Sequence, residues 1–231
     1  MRQLALAILA LAPAPAFADF VENNLLAIFY HELGHAVIDQ LKVPIFGQEE
    51  DAADALSILL IDSLYDAESA EAIAYDSAAL FWEEAQGDPA FWDVHGPDEQ
   101  RFYNTVCLFY GAAPDLREDF SIELGLPEER AMGCEDEFGL ASESWNAVLD
   151  DLTERASFGG KLSLKASQSL PVIESEIAAL NEEFSWPIDV EVKIEACGEA
   201  NAFYDLGDQS ITMCAELDAW LSDVSDVIDL N

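Results

Sequence analysis

Residues 29–38, FYHELGHAVI, impose the tightest constraint on what this chain can become. His31 and His35 lie four positions apart in a stretch whose apolar residues, among them Leu25, Phe29, Ala36, Val37 and Leu41, recur at helical spacing. On a helix, positions i and i+4 share one face, so both imidazoles can reach a single cation. A neutral imidazole nitrogen suits zinc at roughly 2.0–2.1 Å. Glu32, one residue along, stands beside such a cation rather than on it. There it can take a proton from water that the metal has acidified towards a pKa of about 7. The chain has three histidines in all, and two of them fall in this motif. Two ligands are too few for a catalytic zinc site, so the surrounding fold has to bring a third and leave a position open.

The next segment offers that ligand. The first helix is expected over Phe20–Lys42, broken by Val43-Pro44 with a turn at Gly47, and a second over Gln48–Asp62 with an acidic first turn. Glu50 and Asp54 are again i and i+4. A short connection makes the helices antiparallel neighbours, so Glu50 can face the histidines. Asp54, one turn on, can accept the free N–H of a ligand histidine and fix its tautomer. Glu49 and Asp51 point elsewhere on the helix and read as solvated acids.

Further helices are expected over Ala67–Gln86, Asp98–Tyr110, a short piece at Asp115–Leu124, and Ala141–Arg155, with a Gly-, Pro- and Asp-rich loop over residues 87–100. After residues 158–160, FGG, the character changes. KLSLKAS and IDVEVKIEAC alternate like strands, Pro171–Phe184 is helical, and NAFYDLGDQSITMC reads as a hairpin around Gly-Asp before a closing amphipathic helix. The expected class is α+β, predominantly helical: a helical part over about 19–157 and a small C-terminal β element within about 158–231, together one domain. The tryptophans Trp82, Trp92, Trp145, Trp186 and Trp220 are expected in the core.

Residues 1–18 read as a secretory signal. Arg2 is the short positive region, Leu4 to Leu11 the apolar core, and Ala16-Phe17-Ala18 the cleavage site ahead of Asp19. The apolar run is too short to span a bilayer. An exported chain, periplasmic or extracellular, is therefore expected, with no stable membrane span in its mature part. In an oxidising compartment the four cysteines favour two disulfides, expected between sequence neighbours as Cys107–Cys134 and Cys197–Cys214. Forty-seven acids against nine bases give a net charge of −38, which repels nucleic acid and anionic membrane.

The combination His31-Glu32-Leu33-Gly34-His35 with Glu50-Asp51-Ala52-Ala53-Asp54 resembles the site signature of gluzincin peptidases, the thermolysin- and neprilysin-like zinc enzymes. More closely, FYHELGHAVID with GQEEDAAD, DEQRFYNTVCLFYG and CGEANAFYD resemble a bacterial metallopeptidase family of largely undetermined function, over most of the mature chain. The resemblance implies a zincin-like helix pair and one Zn2+ held by His31, His35 and Glu50, with Asp54 supporting a histidine. It also implies a peptide or protein substrate. His95, Pro97 and Arg101 match the spacing at which neprilysin-like enzymes place an oxyanion-stabilising histidine and an arginine that holds a substrate carbonyl. Asn201 and Ala202 resemble the Asn-Ala-aromatic edge strand that pairs with substrate. In those enzymes the strand precedes the histidine motif, whereas here it follows near the C-terminus.

The leading expectation is an exported zinc metallopeptidase, with Glu32, His95 and Arg101 catalytic. The alternative is a non-catalytic, metal-stabilised and disulfide-pinned binding or scaffold protein, because the chain is short for a gluzincin.

Overall fold

A computed structural model describes residues 19–154 and 158–228; residues 1–18, read above as a secretory signal, and Arg155, the expected end of a helix, lie outside the described residues. The chain is α+β and mostly helical, with one small four-stranded sheet among the described residues.

Helix α1, Phe20–Leu41, starts where the Asp19 carboxylate accepts the Glu22 amide at 3.0 Å, and ends at Lys42 in the left-handed region ahead of Pro44. It is buried on nearly all sides, from Asn23 through Ile38, because it lies between the other helices and the sheet. Helix α2, Glu49–Leu64, runs antiparallel to it: Ser57 Oγ bonds the Ala27 carbonyl at 3.0 Å, while Asp54 and Glu50 meet His31 and His35 in turn. Gly34 sets how close the pair can come. A Cβ built there would stand 2.9 Å from the Ala53 Cα and 3.1 Å from its Cβ, so only glycine permits this approach.

Helix α3, Ala67–Glu84, is capped by Asp66, and α4, Asp98–Ala112, packs on both α3 and α2. Two short helices, α5 (Glu118–Glu123) and α6 (Glu128–Ala131), lead to α7, Cys134–Glu154. The α7 start lies seven residues before the expected Ala141. Gly139 sits inside the helix with open space around it and is tolerated there. The disulfide Cys107–Cys134 ties α4 to the start of α7, where Gly111 lets the Cys134 carbonyl approach.

The sheet has the order β1-β2-β4-β3, from β1 (Leu162–Ala166), β2 (Val190–Glu195), β3 (Ala202–Asp205) and β4 (Ser210–Cys214). Helix α8, Pro171–Glu183, connects the parallel pair β1 and β2. The expected hairpin is present as β3 antiparallel to β4, closed at its base by the disulfide Cys197–Cys214, and α9, Glu216–Ser225, follows. β4 is buried throughout and central, whereas β3 is an edge strand. Trp145 and Trp186 are in the core, and Trp82 and Trp220 pack against it. Trp92 is the correction: it is 86% exposed on the loop before α4, where no element covers it.

Candidate functional site

α1 and α2 bring three side-chain atoms to one point. His31 Nε2 and His35 Nε2 are 3.2 Å apart, and Glu50 Oε2 lies 3.2 Å from the first and 3.1 Å from the second. The opposite ring nitrogens are already engaged. His31 Nδ1 donates to Asp54 Oδ1 at 2.7 Å, and His35 Nδ1 donates to Glu49 Oε1 at 2.8 Å. With both protons on Nδ1, both Nε2 atoms carry lone pairs, and these converge with the Glu50 carboxylate. Three acceptors this close need a positive charge among them. Without a cation, a proton supplies it. Burial alone would lower the His31 pKa, yet hydrogen bonding to Asp54 and then Glu50 pushes it up to about 9. Burial likewise opposes the Glu50 charge, but hydrogen bonds from His31, His35 and His95 hold its carboxyl far below the usual carboxylate range.

His95 reaches the same point from the loop before α4. Its Nε2 is 3.0 Å from Glu50 Oε2, its ring stacks over His31 at 6.0 Å, and it is the more exposed face of the cluster. Ligand-capable atoms of His31, Glu50 and His95 all lie within 4.8 Å of one another. Arg101, from the first turn of α4, is fully engaged with the cluster's support. Its Nε and Nη2 donate to the two Asp54 oxygens at 2.9 and 3.0 Å, its Nη1 lies 3.7 Å from Asp98, and its guanidinium covers the Phe81 ring at 4.1 Å. Asp54 is thus held from both sides, by Arg101 and His31, and despite its burial it stays well below the ordinary carboxylate range.

Glu32 points to the other side of His31. It is 6% exposed, and burial raises its pKa against the pull of His31 and His35. The Tyr204 backbone N–H on β3 lies near enough to its carboxylate to pull that pKa the other way. In the β3–β4 ladder the Cys214 amide bonds the Asn201 carbonyl, so by alternation the main-chain groups of Ala202 and Tyr204 face away from β4, on the free edge. Asn201 and Ala202 both line the cleft, and the Asn201 side chain accepts the Ala202 amide at 2.9 Å.

These groups border one cleft of about 820 Å³ between the helices and the β3 edge. Its wall carries His31, Glu32, His35, Glu50, Asp54, His95, Arg101, Asn201 and Ala202, all of which the sequence had singled out. Three further residues were missed. Glu49 is exposed, as expected of a solvated acid, but is also a partner of His35, because the helix start turns it back towards α1. Asn24 lies seven residues before His31, a spacing that places it on the same face. Glu84 lies at the end of α3 and reaches the cleft only through the packing of α3 against α1 and α4, which no local pattern encodes.

No curated protein and no solved structure matches the chain. A family model does match, over residues 13–149 and 161–226. The chain therefore belongs to the DUF4344 family, described as "Putative metallopeptidase".

Proposed function

We propose that the chain is an exported zinc-dependent metallopeptidase built on a zincin-like helix pair. Membership of a metallopeptidase family implies a metal and a peptide or protein substrate. The observation that carries the reading is the convergence of His31 Nε2, His35 Nε2 and Glu50 Oε2, with separations of 3.1–3.2 Å. The ligand edges of a tetrahedral zinc site with bonds of about 2.0–2.1 Å measure about 3.3 Å, so the donor set fits zinc in spacing and in chemistry. His31, His35 and Glu50 would hold the ion, and the Lewis acidity it supplies would polarise a peptide carbonyl and acidify water.

The chain's own residues account for the rest. Glu32, buried beside the cluster, takes the proton from the attacking water and returns it to the leaving amine; its raised pKa suits both transfers. Asp54 keeps the His31 proton on Nδ1, and Arg101 positions Asp54. His95, on the exposed side, donates to the developing oxyanion. The free edge of β3 pairs with an extended peptide through Ala202, and Asn201 aligns it. Export is supported by the two disulfides. In addition, among the described residues no helix is long and apolar enough to cross a membrane.

A second reading, a metal-stabilised module without turnover, is favoured by the proximity of the third histidine: with His95 also ligating, the cluster would be closed. Glu32→Gln separates the two. The peptidase keeps one equivalent of zinc and loses peptide hydrolysis by at least about 100-fold. A wild-type chain that binds zinc but cleaves no member of a peptide library would leave the module as the better account.

A further inference from the structure

The face of α3 that lines the cleft carries Leu80, Phe81 and, one turn further, Glu84. Glu84 stands where the cleft meets a second hollow of about 780 Å³ under the loop before α4. Among the described residues its carboxylate has neither a hydrogen bond nor an ion pair. It is solvent-accessible yet flanked by the concave walls of both cavities, and burial followed by the nearby Asp98 charge raises its pKa. The two arginines on these walls make no ion pair with it, although the Arg101 charge acts on it from a distance. Arg101 is held by Asp54, and Arg130 pairs with Glu137 at 2.7 Å.

Asn24, whose Oδ1 also lacks a donor, is 1% exposed and sealed behind the cleft wall, so of the two only Glu84 is open to a ligand. An apolar strip ending in an unpaired carboxylate complements a side chain with an aliphatic stem and a cationic head.

We propose that the cleft selects peptides carrying a lysine or arginine, whose stem lies along Leu80 and Phe81 and whose charged head pairs with Glu84. The net charge of −38 acts in the same direction, drawing cationic peptides towards the cleft at low ionic strength. The inference rests on the peptidase reading of the neighbouring site, but its test does not require turnover.

The test measures binding to the zinc-loaded Glu32→Gln chain by fluorescence anisotropy. The probes are labelled ten-residue peptides that differ at one position, which carries lysine, norleucine or glutamate and is moved along the peptide in turn. At the best position the lysine peptide is expected to bind about tenfold tighter than the norleucine peptide, and the advantage should shrink with added salt. Adding Glu84→Gln should bring the ratio close to one, and adding Glu84→Lys should reverse the preference towards glutamate. Equal binding of the lysine and norleucine peptides at every position would overturn the proposal, as would a lysine preference undiminished by Glu84→Gln. Cleavage by the unsubstituted chain is scored separately. Selective binding with no cleavage would count against the peptidase reading and support this one.

Discussion

Gly34 is where the packing and the chemistry can be broken with one methyl group. In Gly34→Ala the new Cβ meets the Ala53 Cα at 2.9 Å, against an ordinary carbon–carbon separation of about 3.5 Å or more. Relief requires α2 to retreat by about 0.6 Å. Glu50 and Asp54 flank Ala53 on that helix, so the retreat pulls one vertex of the donor triangle and the support of His31 away together. A site of this kind tolerates about 0.5 Å of misplacement. Overpacking costs about 1–3 kcal/mol, offset by up to about 1 kcal/mol from the better helix propensity of alanine. The expected net loss of about 1–2 kcal/mol lowers the melting temperature of a chain this size by about 3–6 °C. Zinc affinity, measured by competition with a chromogenic chelator, should fall about tenfold or more. Because the nearest atom is the Ala53 backbone Cα, a compensating Ala53→Gly should give only partial rescue. Unchanged affinity with an unchanged or higher melting temperature would refute the reasoning, and complete rescue by Ala53→Gly would assign the clash to the wrong atom.

Asp54→Ala removes the acceptor of the His31 Nδ1 proton and leaves Arg101 without its carboxylate, so zinc affinity should drop by about 10–100-fold in the same competition assay. Asp76 accepts from Asn23 at 2.7 Å, yet burial raises its pKa, so ionising it costs folding stability. An acid raised in the folded state loses stability as pH climbs from its unfolded value of about 3.9 through its folded one. Asp76→Asn should therefore raise the melting temperature at pH 8, with the gain vanishing near pH 4. A gain equal at both pH values would show that charge is not its origin.

The α1 helix and the position of Glu50 were legible because helical periodicity, a Pro stop and a short turn leave little choice in how the two helices meet. The bond that Asp54 accepts from His31 followed from the i, i+4 spacing of Glu50 and Asp54 together with the short antiparallel connection. Asn24 was equally within reach at seven residues from His31, but an asparagine that follows Asn23 in the first turns of a helix resembles a helix-start residue. Glu84 and the parallel order β1-β2-β4 depend on how distant elements stack, and nothing in either local window records that. Trp92 was misplaced by an expectation drawn from residue type, and the loop that carries it has no neighbour to bury an indole.

The disulfide Cys197–Cys214 closes a span of 17 residues that contains Asn201 and Ala202, while every donor of the His31 cluster lies on segments it does not touch. A thiol reductant would thus slacken the β3 bank of the cleft and, by opening Cys107–Cys134 as well, the anchorage of the helix that carries Arg101, while the ion-binding atoms on α1 and α2 lie on segments that neither disulfide holds. An inactive preparation made that way would report on its buffer, and activity should be sought first under oxidising conditions.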